Sequence, residues 1–256
     1  MEYRTLQHTD LKVSRVSFGT MTFGSQTDES AARSMVDRCL DAGINFFDTA
    51  NVYNKGQAEI LLGRALAGRR EKVILATKVR GKMGNGADES GLSRAAIHKG
   101  IDASLQRLNT DHVDVYYLHQ PDYGVEIEET LAAMDELVRA GKVRFPAVSN
   151  YAAWQVAEIR CLAEKKGCKP PQISQPMYNL LARGIEDEYI PFCERFGIAI
   201  VPYNPLAGGL LTGKYGAQRD PKTGGRFDNN KMYQDRYWHE DYFAAVEELS
   251  AIAREA

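Results

Sequence analysis

The sequence predicts an α/β fold, a (β/α)8 or TIM barrel preceded by a β-hairpin, and two patterns support that prediction. The first pattern repeats along the whole chain: a short β-branched run, a polar loop and an amphipathic segment. Such alternation is typical of a parallel sheet with right-handed crossovers. The second is that no G-x-G-x-x-G motif follows the first strand-like run. Its absence favours a barrel over an open dinucleotide-binding sheet.

Seven short runs are predicted to be barrel strands because they are apolar and rich in β-branched residues. They span residues 16–18, 44–48, 73–78, 113–119, 143–149, 173–175 and 198–203. Ahead of them, residues 3–6 and 11–14 flank the polar segment His8-Thr9-Asp10. This arrangement predicts an antiparallel hairpin before the first barrel strand.

The segments between the strand-like runs have the spacing of amphipathic helices. They span residues 29–42, 58–67, 93–108, 127–140, 154–166 and 186–196, and another helical segment starts near Asp241. In the third of them, Ile97, Ile101, Leu105 and Leu108 recur at helical spacing. Glycines at 43, 141 and 167 follow three of these segments, where helices commonly end.

The chain is expected to form one barrel domain over residues 1–256, because no linker or shift in composition divides it. The segment 213–240 is too long for an ordinary connection between two elements, so we expect it to be a functional loop. Within it, Lys214, Arg219 and Arg226 are candidates for contacting phosphate groups. Only seven strands can be recognised, so the barrel is expected to be incomplete at its carboxyl terminus. An incomplete barrel exposes strand edges, which predicts an aggregation-prone chain.

Composition and charge exclude several classes of protein. The formal net charge of −2 and the pI of about 6.2 give no positive field that would attract nucleic acid or an anionic membrane surface. The four cysteines form no C-x-x-C pair, so neither a metal site nor a disulfide framework is expected. Without a signal peptide or a membrane-spanning run, the sequence predicts a cytoplasmic protein.

Polar residues end six successive strand-like runs, and the active sites of (β/α)8 barrels collect at this end of the strands. The polar residues are Asp48, Lys78, His119, Ser149 with Asn150, Gln175 and Tyr203, while Tyr53 lies five residues beyond Asp48. Each alone is an ordinary loop or cap residue. If they converge, burying so many polar groups is costly unless they serve one another or a ligand.

This set of side chains suits the protonation of an oxygen atom. A tyrosine beside a lysine is a proton donor, because the ammonium group favours the phenolate. Asp48 would keep Lys78 charged, and His119 would provide a second donor to a carbonyl oxygen. The sequence contains no G-x-S-x-G motif, no Cys–His nucleophile and no acidic pair suited to glycosidic cleavage. The set therefore favours a reaction in which another group delivers a hydride.

The sequence resembles the aldo-keto reductase family over nearly its whole length. The motifs that carry the resemblance are Gly19-Thr20-Met21-Thr22-Phe23-Gly24, Asn45-Phe46-Phe47-Asp48-Thr49-Ala50 continuing to Tyr53, Ala76-Thr77-Lys78, Tyr116-Tyr117-Leu118-His119, Val148-Ser149-Asn150, Gln175-Pro176-Met177-Tyr178-Asn179 and Tyr203-Asn204-Pro205-Leu206. Each motif is weak alone, but their order and spacing are specific. The resemblance implies an oxidoreductase that reduces an aldehyde or ketone with NADP, or less often NAD, as cofactor.

The resemblance also implies roles for individual residues. Asp48, Tyr53, Lys78 and His119 match the family's catalytic tetrad, in which Tyr53 is the general acid. The cofactor-binding candidates are Ser149, Asn150 and Gln175 for the nicotinamide carboxamide, Tyr203 for stacking on the nicotinamide, Asn204 and Leu206 for the pyrophosphate, and Gly19, Thr20, Met21 and Asp48. The implied partner is a small carbonyl substrate.

Two departures from the family pattern and two alternative functions accompany this interpretation. Phe145-Pro146-Ala147 replaces the usual glycine and aliphatic residue, and a proline in a central strand predicts a local distortion below Ser149. The eighth strand and helix that usually bind the adenosine 2′-phosphate are not recognised in the sequence, so we expect weak NADP binding.

Two alternative functions are also considered. One is a nicotinamide-binding regulatory or interaction subunit with little turnover, and the other is a Schiff-base lyase that uses Lys78.

Overall fold

A computed structural model describes residues 1–215 and 225–255. Its strands are β1 (Tyr3–Thr5), β2 (Lys12–Ser14), β3 (Phe18–Gly19), β4 (Phe46–Asp48), β5 (Ile74–Val79), β6 (Val113–Leu118), β7 (Val143–Ser149), β8 (Ile173–Gln175) and β9 (Ala199–Ile200). Its helices are α1 (Glu29–Asp41), α2 (Gln57–Ala65), α3 (Arg94–Leu108), α4 (Ile127–Arg139), α5 (Ala153–Lys166), α6 (Tyr189–Phe196), α7 (Lys231–Tyr237) and α8 (Glu240–Glu255). The chain divides into two compact units, Met1–Gln175 with Tyr189–Val201, and Pro176–Glu188 with Pro202–Ala256.

The first unit contains one parallel sheet whose strands lie in chain order. The order is β3-β4-β5-β6-β7-β8-β9, and each strand pairs in parallel with the next one along the chain. The antiparallel β1–β2 hairpin precedes this sheet. The predicted α/β architecture is therefore confirmed: it is that of a (β/α)8 barrel with an N-terminal hairpin, and seven barrel strands lie within the described residues.

The sheet of the first unit is curled, as one hydrogen bond across it shows. The side-chain amide of Gln175 in β8 donates from Nε2 to Oδ2 of Asp48 in β4, at 2.9 Å. These strands are four positions apart in the sheet order. In a flat sheet they would be separated by about 19 Å, since neighbouring strands lie roughly 4.8 Å apart. The sheet therefore bends so that these side chains meet on its concave face.

Every second residue of the strands faces this concave side and forms a buried core. The strand residues of the core are Phe46, Ile74, Ala76, Val115, Tyr117, Phe145, Ala147 and Ile173. Leu11 and Val13 of the hairpin pack into the same cluster. The alternation of inward and outward side chains in a strand produces this arrangement. The same alternation places the residue two positions beyond the last core residue of each strand on the inner face as well.

Pro146 lies inside β7 without interrupting it, so the predicted distortion below Ser149 is not seen. The strand runs unbroken from Val143 to Ser149, and Pro146 pairs with Tyr116 of β6. The Pro146 carbonyl accepts a hydrogen bond from the Gln172 backbone N–H, on the side of β8. The missing N–H of Pro146 faces the same side, just before β8 begins at Ile173 opposite Ala147. No ladder hydrogen bond is lost there.

The second unit holds an aromatic cluster. Phe227 lies with its ring centroid 5.1 Å from that of Tyr215 and 4.7 Å from that of Trp238, and Trp238 lies 5.0 Å from Phe243. The predicted loop 213–240 includes helix α7, whose Tyr233 and Tyr237 are buried. The phosphate-contact candidate Arg219 lies outside the described residues, which exclude 216–224.

Candidate active site

Five of the predicted site residues lie on the same face of the sheet as the buried core, because side chains alternate between the two faces of a strand. Each of these residues follows the last core residue of its strand by two positions: Asp48 after Phe46, Lys78 after Ala76, His119 after Tyr117, Ser149 after Ala147 and Gln175 after Ile173. Because side chains two residues apart in a strand share a face, these five lie on the concave side at the carboxyl end of the sheet. This is where barrel enzymes bind their substrates.

Asp48 and Lys78 form a buried ion pair. The Lys78 ammonium group donates to Oδ1 of Asp48 and, at 2.8 Å, to the Thr49 carbonyl. Burial opposes the charge on Lys78, but the attraction of Asp48 outweighs it and the pKa of Lys78 lies above its usual value. Lys78 is therefore protonated throughout the ordinary pH range, and Gln175 holds the second carboxylate oxygen of Asp48.

Tyr53 reaches this ion pair from a loop between β4 and α2. Its hydroxyl oxygen lies 3.4 Å from the Lys78 Nζ. The two residues after it, Asn54 and Lys55, have left-handed backbone angles, with φ of 48° and 54°. The Asn54 side-chain amide donates to the Met21 carbonyl at 3.0 Å and to the Phe23 carbonyl at 2.7 Å. These two bonds attach the tyrosine segment to the loop after β3.

His119 completes the cluster as an uncharged group. Its ring meets the Tyr53 ring edge to face, with the ring centroids 6.0 Å apart. Burial, followed by the positive charges of Lys78 and Arg80, lowers the pKa of His119 to about 3. The imidazole is therefore neutral at physiological pH. A neutral imidazole carries one N–H, which can be donated to an oxygen atom without adding charge to the site.

Ser149, Asn150 and Gln175 form a second group of polar side chains beside the ion pair. The Ser149 hydroxyl donates to the Gln175 backbone carbonyl at 2.9 Å. Asn150 has a left-handed backbone, and its side-chain amide donates to the His119 carbonyl at 2.9 Å and to the Ser149 hydroxyl at 3.0 Å. Hydroxyl and amide groups both donate and accept, as a primary carboxamide does. This donor set therefore fits the carboxamide of a nicotinamide.

The segment Gly19-Thr20-Met21 adjoins Asp48 through its backbone. The N–H and the hydroxyl of Thr20, a fully buried residue, both donate to the Asp48 carbonyl, at 2.9 and 3.1 Å. Beside Gly19, a Cβ atom would meet no other atom within 4 Å. Thr20 therefore supports the backbone of Asp48, while Gly19 faces open space at the end of β3.

The three remaining cofactor candidates, Tyr203, Asn204 and Leu206, belong to the second unit. The Asn204 side chain donates to the Tyr237 hydroxyl at 2.7 Å and accepts from the Gly208 N–H at 2.8 Å. The Tyr203 N–H donates to the Pro176 carbonyl at 2.9 Å, and 54% of Leu206 is exposed. These contacts describe the three residues within their own unit, and their cofactor roles stay predictions.

A buried carboxylate close to the site was missed by the sequence interpretation. Glu59 of α2 is fully buried; it accepts from the Thr77 hydroxyl and from the Arg107 Nε, both at 2.6 Å. Thr77 directly precedes Lys78, so this cluster connects α2 and α3 to the strand that carries the lysine. The sequence signal that could have identified Glu59 is its position as a single acidic residue within the apolar run from Ala58 to Leu62.

The described residues contain neither a group of metal ligands nor a helix that could span a membrane. Across residues 1–215 and 225–255, no three His, Cys, Asp or Glu side chains are grouped as metal ligands. In the same ranges, no helix has the length and apolar character needed to cross a membrane.

Comparison with known proteins identifies the family. The sequence model of the Aldo/keto reductase family matches residues 15–256. The chain therefore belongs to the aldo/keto reductase family, whose members are oxidoreductases that act on small carbonyl compounds, generally with a nicotinamide cofactor.

Three relatives show the range of similar proteins. A probable voltage-gated potassium channel subunit beta of Oryza sativa is 38% identical over 100% of this chain and 79% of its own length. An uncharacterised oxidoreductase of Bacillus subtilis is 41% identical over 84% of this chain and 69% of its length. Aflatoxin B1 aldehyde reductase member 2 of Rattus norvegicus is 40% identical over 89% of this chain and 63% of its length.

Proposed function

We propose that this protein reduces an aldehyde or ketone to an alcohol, with NADP as cofactor, or NAD in its place, and with Tyr53 as the proton donor. The observation that carries the proposal is the Tyr53 hydroxyl, 3.4 Å from an ammonium group that is itself held by a buried carboxylate. The nicotinamide cofactor supplies the hydride when it is bound. Every other requirement of the reaction falls to side chains of this chain.

The proton is transferred from Tyr53 to the carbonyl oxygen. That oxygen accepts hydrogen bonds from the Tyr53 hydroxyl and from the neutral His119 imidazole while negative charge develops on it. As the phenol gives up its proton, the Lys78 ammonium stabilises the phenolate. A unit charge 3.4 Å away is worth roughly 5 kcal/mol at an effective dielectric constant of 20. Asp48 keeps Lys78 in position through the transfer.

The cofactor would be held by the polar groups around this centre. We assign Ser149, Asn150 and Gln175 to the nicotinamide carboxamide because their hydroxyl and amide groups match it. The remaining assignments follow the family pattern: Tyr203 for stacking on the nicotinamide, Asn204 and Leu206 for the pyrophosphate, and Gly19, Thr20 and Met21 for further contacts. Members of the family generally use NADPH, which supports NADP as the first choice.

Aldehyde turnover tests the proposal. The full chain should consume NADPH or NADH, followed by absorbance, in the presence of a reactive aldehyde such as 4-nitrobenzaldehyde. Tyr53→Phe keeps the ring but removes the proton, so kcat should fall about 10²–10⁴-fold while NADPH still binds. Tyr3→Phe is the matched control, because the Tyr3 hydroxyl bonds the Gly43 carbonyl at the hairpin. A Tyr53→Phe variant with normal kcat would contradict the assigned role.

Two other outcomes would point to the alternative functions. NADPH binding without turnover of any aldehyde would favour a regulatory subunit, the kind of role that the rice relative's name suggests. Trapping of a carbonyl substrate on Lys78 by borohydride would favour a Schiff-base lyase. The buried ion pair with Asp48 disfavours the lyase, because it keeps the lysine protonated and therefore not nucleophilic.

A further inference from the structure

A buried ion pair, Glu59 with Arg107, lies behind β5 on the face of the sheet that the helices cover. Glu59 is fully buried, and its two carboxylate oxygens accept from the Thr77 hydroxyl and from the Arg107 Nε, both at 2.6 Å. Thr77 directly precedes Lys78 in β5, so its side chain faces away from the concave side. The pair therefore lies on the opposite side of this strand from the candidate active site.

Stability alone is a weak explanation for this ion pair. The desolvation of two charges largely offsets their attraction, so a buried ion pair can often be replaced by apolar residues without loss of stability. The Tyr116 hydroxyl is buried beside the pair and makes no hydrogen bond within the described part of the chain. Burial, followed by the negative charge of Glu59, raises the pKa of Tyr116. Both Glu59 oxygens are thus committed to two particular partners, Thr77 and Arg107.

Arg107 contacts the segment that carries Tyr53. Gly56, three residues beyond Tyr53, has a φ of +88°, and a Cβ atom there would lie 2.7 Å from the Arg107 Cδ and 2.9 Å from its Nε. The arginine side chain itself is held by Glu59 at Nε and donates from Nη2 to the Ser104 hydroxyl at 3.2 Å. Arg107 therefore lies directly against the Gly56 backbone and limits the movement of the tyrosine turn.

The helices that carry the pair form a closely packed base. A Cβ atom on Gly63 of α2 would lie 2.6 Å from the Leu108 carbonyl oxygen at the end of α3, so the two helix backbones are in contact. Glu59 lies one helical turn before Gly63, and Arg107 directly precedes Leu108. The pair therefore connects this base both to the strand that carries Lys78 and to the turn that carries the tyrosine.

The separation of Tyr53 and Lys78 is sensitive to small movements. The hydroxyl oxygen and the ammonium nitrogen lie 3.4 Å apart, beyond the roughly 2.7–3.2 Å that is usual for a hydrogen bond. At an effective dielectric constant of 20, a further increase of about 1 Å would make the phenolate about 6-fold less favourable, which corresponds to about 0.8 pH unit. Tyr53 also faces the neutral ring of His119, and Asp48 contacts Lys78.

We propose that Glu59 and Arg107 are positioning residues for carbonyl reduction: from behind the sheet, they set the distance between the Tyr53 hydroxyl and the Lys78 ammonium. Glu59 fixes β5, and Arg107 fixes the turn that carries the tyrosine. Both act at a distance from the reacting atoms, through the segments that they hold. This inference rests on the proposed function, in which Tyr53 gives up a proton beside Lys78.

The rate of hydride transfer at different pH values tests the proposal. Single-turnover oxidation of bound NADPH by 4-nitrobenzaldehyde is followed between about pH 6 and pH 10 in wild type, Arg107→Met and Glu59→Gln. The reaction needs the protonated phenol, so the rate falls on the alkaline side, and the midpoint of this fall reports the phenol beside Lys78. Both variants should lower the maximal rate about 3- to 10-fold and move the midpoint to higher pH by about 0.5–1 unit.

The direction of the shift distinguishes positioning from a direct effect of charge. Arg107→Met removes a positive charge and Glu59→Gln removes a negative one, so a purely electrostatic influence on the phenol would move the two midpoints in opposite directions. Looser positioning raises both. The double variant Glu59→Gln/Arg107→Met keeps the net charge of the pair at zero, and its midpoint should remain raised. Arg107→Lys keeps a cation for Glu59 and should restore part of the wild-type rate. Opposite shifts, or midpoints equal to that of wild type, would overturn the proposal.

Asp114→Asn is the matched control because it breaks another buried ionic cluster. Asp114 lies in β6 and accepts from Arg70 at 2.8 Å. This variant should unfold at lower urea concentration but keep the wild-type maximal rate and midpoint. If Glu59 and Arg107 only stabilise the fold, their variants will behave as Asp114→Asn does, which would also overturn the proposal. The double variant buries no unpaired charge, so it provides a folded protein if a single variant unfolds.

An NMR titration separates this proposal from the proposed function. Protein labelled with carbon-13 at the tyrosine Cζ is titrated without cofactor or substrate, and Tyr53→Phe assigns the Tyr53 resonance by its absence. The titration midpoint of this resonance should be higher in Arg107→Met and in Glu59→Gln than in wild type. That result would support the positioning role even if no aldehyde were reduced. Unchanged midpoints would overturn the positioning role while the reductase function stands.

Discussion

Buried ionic clusters occupy both ends of the curled sheet, and they are built differently. At the amino end, the Asp114 carboxylate of β6 accepts from Arg70 at 2.8 Å, from Arg144 at 2.5 Å and from the Leu75 backbone N–H at 2.9 Å. At the carboxyl end, the single Lys78 ammonium is shared among Asp48, the Thr49 carbonyl and, at 3.4 Å, the Tyr53 hydroxyl.

The two clusters differ in whether they contain a group that can transfer a proton to a ligand. Around Asp114 every donor is a permanently charged guanidinium or a backbone N–H, so no proton is available to a ligand. Around Lys78, the phenol of Tyr53 and the neutral imidazole of His119 carry protons that an oxygen atom can receive. Burial of charge alone therefore does not identify an active site. The presence of weakly acidic donors beside the buried charge distinguishes the carboxyl end.

Removing the carboxyl-end cation should have the largest effect. Lys78→Met leaves the Asp48 carboxylate buried without a counterion, which should lower the free energy of unfolding by about 3–5 kcal/mol. It also removes the charge that stabilises the phenolate, so kcat should fall about 10²–10⁴-fold and the pH profile of kcat should change. Urea unfolding and aldehyde turnover measure these effects. Lys72→Met, at the exposed turn before β5, is the control. An unchanged pH profile would contradict the coupling between Lys78 and Tyr53.

The amino-end cluster should affect stability alone. Asp114→Asn removes the charge that two arginines share and leaves their donors partly unpaired, so the free energy of unfolding should fall by about 1–3 kcal/mol. The kcat of the folded fraction should equal that of wild type, because the site lies at the other end of the strands. Urea unfolding and activity per folded molecule test this. A kcat that falls with stability intact would show that the two clusters are coupled.

The pH dependence of stability should report His119, and its effect per pH unit is the smallest of the three expected changes. The unfolded imidazole, with an ordinary pKa of 6.5, binds a proton more readily than the folded one, whose pKa is about 3. The stability that the neutral ring contributes is therefore fully present above pH 6.5 and is lost as the pH falls towards 3. The slope is at most about 1.4 kcal/mol per pH unit. Urea unfolding at pH 7, 6 and 5 should show a shallower slope in His119→Gln than in wild type, and identical slopes would refute the assignment.

Strand alternation explains why much of the site could be predicted from the sequence. Asp48, Lys78 and Gln175 each end a strand-like run, and the period of two residues places them on the face of their buried neighbours. Asp114 could have been found in the same way, as an acid inside the apolar run of β6. The sequence interpretation passed over it because it looked only at the last residue of each run.

Loop conformation explains what could not be predicted. The position of Tyr53 depends on left-handed backbone angles at Asn54 and Lys55, and Arg80 has a positive φ as well. Asparagine adopts such angles readily, but lysine and arginine have no preference for them, so residue type does not reveal the turn. Arg80 also follows a strand that extends to Val79, one residue beyond the predicted end.

The hydrogen bond between Gln175 and Asp48 has a consequence for how the protein is made. Neighbouring strands of the sheet are also neighbours in the chain, so most pairings close short loops, which form quickly. This bond joins residues 127 positions apart. During synthesis, Asp48 and Lys78 can pair soon after β5 emerges, whereas the second carboxylate oxygen waits until β8 has been added. The orientation of Asp48 is therefore among the last features of the first unit to form.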